Sequence, residues 1–139
     1  MVRTYRAVAL TALILTASSC HMVENAKAGG EAVKQFHERF DSEQYATIYA
    51  EADEELQKQT SQKEFIAILS AVHRKLGMVK QASSTGYFIN ANTDGTFVKL
   101  TYKTSFPDSD ATETFTWRMA GGKCKLIYYN IESTALIIR

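Results

Sequence analysis

The chain is poor in the residues that usually announce a chemistry. It has two cysteines, Cys20 and Cys124, and three histidines, His21, His37 and His73. With so few cysteines a stable fold has to rest on its hydrophobic core, and 139 residues are enough for one. The histidines lie on separate segments with no cysteine or carboxylate at ligand spacing beside them, so no metal centre is expected. A net charge of +1 without a cluster of Lys and Arg gives no reason to expect nucleic acid as a partner. There is no Gly-x-Ser-x-Gly elbow, and Ser105 has no local base. "GEAVK" and "GTFVK" do not make a phosphate loop, so no cofactor is expected either. No apolar run reaches the roughly 20 residues of a membrane-spanning helix. Repeats and low-complexity tracts are also missing.

What is present begins at the N-terminus. Arg3 and Arg6 are followed by Ala7 to Ala17, which carry no charge. That length matches a signal-peptide core of about 7–15 residues. Ala17, Ser18 and Ser19 then lead into Cys20, a pattern that resembles the bacterial lipobox, in which the cysteine receives diacylglycerol before the leader is cut. Ala17 stands where Leu is usual, and Ser19 where Gly or Ala is commoner. The expectation is a leader over 1–19, lipid on Cys20, a tether or frayed helical start over 20–30, and one domain over 31–139. Stable anchoring takes more than one acyl chain, which a triacylated cysteine supplies. His21 follows Cys20 where an inner-membrane-retaining Asp would otherwise stand, which points to the outer membrane, facing the periplasm. Without Arg3 and Arg6 the charge falls to about −1.

The domain divides into a helical half and a strand half. Val33, Phe36, His37 and Phe40 recur at helical spacing over Glu31 to Phe40. Tyr45, Ile48, Tyr49, Ala52 and Leu56 predict a second helix, with Asp41 or Ser42 as its cap. "TSQKEFIAILSAVHRKLG" gives a third: Ser61 and Glu64 form a capping box, and Gly77 suits the left-handed end. From there the period becomes two. A weak strand around Gly86 leads to a turn at Asp94-Gly95. Val98, Leu100, Tyr102 and Phe106 share one face of the next strand. Glu113, Phe115, Trp117 and Met119 share a face after the Pro107 turn, and Gly121-Gly122 turns into "KCKLIYYNIES". The fold class is α+β, with about three N-terminal helices packed on a curved antiparallel sheet of about four strands. The apolar tail "ALIIR" extends the last strand or covers a sheet edge. Cys124 is expected as a buried small residue.

"YKTSFPDSDATETFTW", a Gly-Gly turn and "KLIYYNI" are similar to the domain of unknown function 4019 family, small bacterial envelope proteins that often carry lipoprotein leaders. The corresponding residues are Tyr102, Thr104-Ser105-Phe106, Glu113-Thr114, Tyr129 and Ile131, and the likeness runs from about Ala32 to Ser133. Cys124 stands where the family's closing strand usually opens with Trp. The resemblance implies a cystatin-like or nuclear-transport-factor-2-like cone and supplies no activity.

The functional expectation is a non-catalytic interaction module. The chain has seven Tyr, seven Phe and one Trp, and aromatic strands suit a binding face. The candidate ligand or partner surface comprises Tyr102, Glu113, Trp117, Tyr128 and Tyr129, with an envelope protein or a second copy as the partner. One alternative is a small apolar ligand held between helices and sheet beside Trp117. Another is an enzyme with Glu113 as acid or base, helped by His37 and by Tyr45 or Tyr49. Against the enzyme, Glu113 is expected at the sheet rim, solvated or paired with Lys103 or Arg118. His37 is expected at the core edge, and His73 at a solvated helix terminus.

Overall fold

A computed structural model describes the backbone of residues 17–138 and the side chains from residue 21 to 138. The expected leader lies outside these residues up to position 16, as does the side chain of the expected lipidation site, Cys20.

Four helices precede the sheet: α1 (Ala17–Asp41), α2 (Tyr45–Glu51), α3 (Glu54–Gln59) and α4 (Gln62–Leu76). The strands β1 (Gln81–Asn92), β2 (Gly95–Ser105), β3 (Asp110–Ala120) and β4 (Lys123–Glu132) follow, then the short α5 (Thr134–Ile137). The strands form an antiparallel meander in the order β1-β2-β3-β4. The molecule is therefore α+β, with its helices N-terminal to the sheet.

α4 forms where its sequence signals place it. The Ser61 hydroxyl accepts from the Glu64 amide while the Glu64 carboxylate reaches back to the Ser61 amide. Phe65, Leu69, Val72 and Leu76 are buried along one stripe. Gly77 ends it at φ 84°, a backbone angle that suits a residue without Cβ.

The other helices differ from expectation. The stripe read as one second helix breaks at Ala52–Asp53. Asp53 turns extended and caps α3 by accepting from the Glu55 amide at 3.0 Å. Asp41 caps nothing in α2; its carboxylate accepts from the Val79 amide at 2.9 Å. For residues 21–30, read as a tether or a frayed helical start, the helical reading holds, and they belong to α1. Gly29 marks a close approach: a Cβ there would lie 2.9 Å from Leu100 Cδ1. The C-terminal tail does not extend β4; α5 packs on α4, and the Lys75 ammonium donates to the Ala135 and Ile138 carbonyls.

Phe36, Phe40, Leu69, Val98, Leu100, Phe115, Trp117 and Leu126 are among the buried residues that join the helices to one face of the sheet. A bulge between Thr116 and Trp117 lets Ile127 slip out of register. Leu126 and Tyr129, three residues apart, consequently both pack against the core, while Tyr128 faces outward.

Candidate functional site: a buried carboxylate beneath a cleft

The most unusual group in the core is Glu113, 1 % exposed among Phe115 and its aromatic neighbours. Neither expected partner reaches it. Lys103 pairs with Asp110 at 3.4 Å, and Arg118 pairs with Asp53 at 3.0 Å and Glu55 at 2.8 Å. The expectation of a solvated rim carboxylate is therefore corrected. Period-two alternation turns Glu113 inward with Phe115, and the sheet's middle strands are covered by α1.

Three donors from three other elements satisfy Glu113. His37 on α1 donates from Nε2 to Oε2 at 2.7 Å. Thr104 on β2 donates its hydroxyl to the same oxygen at 2.5 Å, and Tyr129 on β4 donates to Oε1 at 2.7 Å. Burial alone pushes the Glu113 carboxyl up, but the His37 bond, its charge and the two hydroxyls outweigh that, so the net direction is below the ordinary range. The Tyr129 hydroxyl moves well above its ordinary value, first by burial and then through the anionic Glu113 beside it. A carboxylate only accepts, so Nε2 carries a proton; whenever the ring is neutral, Nδ1 is its acceptor. Among the described residues His37 makes no hydrogen bond other than the one to Glu113, and 9 % of its side chain remains accessible. His37 lines an open cleft of about 400 Å³ between α1, Val79–Ala82 and Tyr102.

Of the sequence-selected residues, the structure therefore brings Glu113, His37 and Tyr129 together. Tyr45 is buried elsewhere, and Tyr49 donates to the Thr60 carbonyl at 2.8 Å, tying α2 to the end of α3. Thr104 was not among the sequence candidates; its inward register on β2 is the signal that could have found it. Tyr102 is half-buried and its hydroxyl is raised by desolvation and by Glu31.

Trp117 is buried and stacks on Phe115 at 5.9 Å, so it offers no surface. Its Nε1 has no partner among the described residues, and the cavity beside it is about 50 Å³, room for one or two waters. Cys124 packs on Met119, with its thiol raised by burial. His73 is a correction too: its side chain is only 16 % exposed, and it sets its ring edge-on to Phe40. Of the expected aromatic surface only Tyr128 is open, at 52 %; the other open aromatics among the described residues are Tyr87 and Phe88 on β1. No group of three or more metal-ligating side chains occurs among the described residues.

No curated protein matches the chain. The family model described as protein of unknown function (DUF4019) matches residues 32–129, the stretch that holds His37, Thr104, Glu113 and Tyr129, and the chain belongs to that family.

Proposed function

We propose that the protein is a lipid-anchored component of the bacterial envelope, held by Cys20 in the outer membrane and facing the periplasm, where it acts as a non-catalytic interaction module. The lipobox-like Ala17-Ser18-Ser19-Cys20 supports the anchor. The helices on one sheet face suit a cystatin-like or nuclear-transport-factor-2-like cone. The observation that carries the interaction is the contrast between the two sheet edges. On β4, the Asp53 amide donates to the Leu126 carbonyl at 2.9 Å, and Lys123, Lys125 and Glu132 add charge. β1 has no charged residue from Gln81 to Asn92 and forms the other edge. Its Tyr87, opposite Leu100, and Phe88, opposite Lys99, point to opposite faces at 62 % and 64 % exposure. Charge and proline are the usual guards of such an edge.

The occupant that fits best is a second copy of this chain. Two β1 strands paired antiparallel about Tyr87 set no like charges opposite each other. The same pairing brings Lys80 of one copy beside Asp94 of the other, at both ends. Catalysis by Glu113 has less support, because both its oxygens already accept hydrogen bonds. An apolar ligand beside Trp117 would have to fit the cavity of about 50 Å³.

Sedimentation of the full chain in density-matched detergent tests the pairing. Two copies per particle are expected, falling to one when Tyr87 and Phe88 are both changed to Lys. A single copy for the unaltered chain would rule the pairing out. The anchor is tested separately: Cys20→Ala should release the protein from the membrane fraction.

A further inference from the structure

The cleft over His37 has the makings of a binding site that does not depend on the anchor or on pairing through β1. His37 is 7 % exposed, the bond to Glu113 is the only hydrogen bond its ring makes among the described residues, and the ring lines the cleft. A lone buried histidine could swing or change tautomer. Here Glu113 fixes both: its oxygen holds the Nε2 proton, and Thr104 and Tyr129 hold the carboxylate. A histidine backed by a fixed carboxylate is oriented at its other nitrogen and made a better acceptor there, the arrangement by which outer-shell carboxylates set a histidine's working atom. Structural stability alone asks only that Glu113 be satisfied; it does not ask that the ring satisfying it also line a cleft.

The rest of the cleft narrows the ligand. Val33 and Val79 give it apolar walls, and the formal charges of Lys34 and Lys80 are balanced by Glu38 and Asp41. Tyr102 adds a hydroxyl that makes no hydrogen bond among the described residues and lies near α1, since a Cβ on Gly30 would be 3.5 Å from it. A volume of about 400 Å³ falls within the range of small-molecule sites. We propose that this cleft binds a small neutral molecule through an amide N–H or hydroxyl donated to His37 Nδ1, with Glu113 as the positioning residue behind it.

The test uses the isotope-labelled full chain in detergent micelles and two probes. Acetamide offers an N–H donor; acetone has similar size and a carbonyl but no donor. Long-range nitrogen–proton correlation reads His37 Nδ1 directly. Acetamide is expected to shift Nδ1 saturably, together with the Gly30 and Val79 amides, while acetone leaves Nδ1 where it was. In His37→Lys, whose ammonium can still donate to Glu113 but offers no acceptor, the saturable response of Gly30 and Val79 should be lost. An unmoved Nδ1 with acetamide, or an equal response to acetone, overturns the proposal. So does a response that survives in His37→Lys. Should that variant not fold, the acetamide–acetone contrast on the unaltered chain decides alone. Loss of self-pairing would leave all of these readings unchanged.

Discussion

Asp53 and Glu113 are both buried acids, 4 % and 1 % exposed, and they solve the same problem in different ways. Asp53 sits where a helix starts. Its carboxylate takes the Glu55 amide and the Arg118 guanidinium, and Arg118 in turn leans over the Phe97 ring at 5.3 Å. It is a local cap reinforced by a permanent cation. Glu113 has no permanent cation. Its donors are two hydroxyls and a histidine, and they come from β2, β4 and α1. A charge held this way ties the helical layer to three strands, and its support depends on protonation. The cap secures one helix start; the network secures how layers meet.

Changing these residues tests the contrast. Glu113→Ala should cost the most, about 4 kcal/mol in urea unfolding, because it strands three buried donors. Replacing the whole set together, His37→Leu, Glu113→Met, Thr104→Val and Tyr129→Phe, should recover most of that loss, since a buried polar set is often no better than apolar packing of similar volume. A combined variant as unstable as Glu113→Ala would contradict this account. Asp53→Ala should cost about 3 kcal/mol from cap and charged hydrogen bond together, and Asp53→Asn less, because Asn caps equally well. Tyr129→Phe should cost about 2 kcal/mol, as loss of a hydrogen bond to a charged acceptor, and Thr104→Val about 1 kcal/mol.

Acid should add a further distinction. The folded Glu113 carboxyl lies below its ordinary 4.5, so it contributes stability that is fully present above that value and lost as pH falls through the lower folded value. Unfolding curves taken down through that window should show an acid-dependent loss in the unaltered chain. In Glu113→Gln that part of the slope should be missing; an identical slope would mean other carboxylates carry the acid sensitivity.

Much of this was legible in the sequence, and the failures have specific causes. The capping box of α4, the Gly121-Gly122 turn and the inward face of Phe115 and Trp117 are local signals, and they appear where the pattern puts them. Strict alternation would separate Leu126 from Tyr129, and the bulge at Ile127 is what reunites them; no residue type announces it. Gly29-Gly30 reads as a linker because the reason for Gly29, the approach of Leu100, comes from a strand 71 positions later. The His37–Glu113 bond spans 76 positions, so periodicity could turn each residue inward but could not bring them face to face.

The helical state of residues 21–30 also changes how an anchor at Cys20 would act. Gly29, where α1 seats on the sheet, lies nine positions after Cys20, and at helical rise that is about 14 Å of rod. A flexible leash lets a domain tumble above a bilayer and sweep a wide area. A rod continuous with the core does the opposite: tilting the first turns of α1 tilts the whole domain. With lipid on Cys20, the domain would stand off the bilayer at nearly constant height, and the uncharged edge of β1 would meet its neighbours within a narrow range of angles.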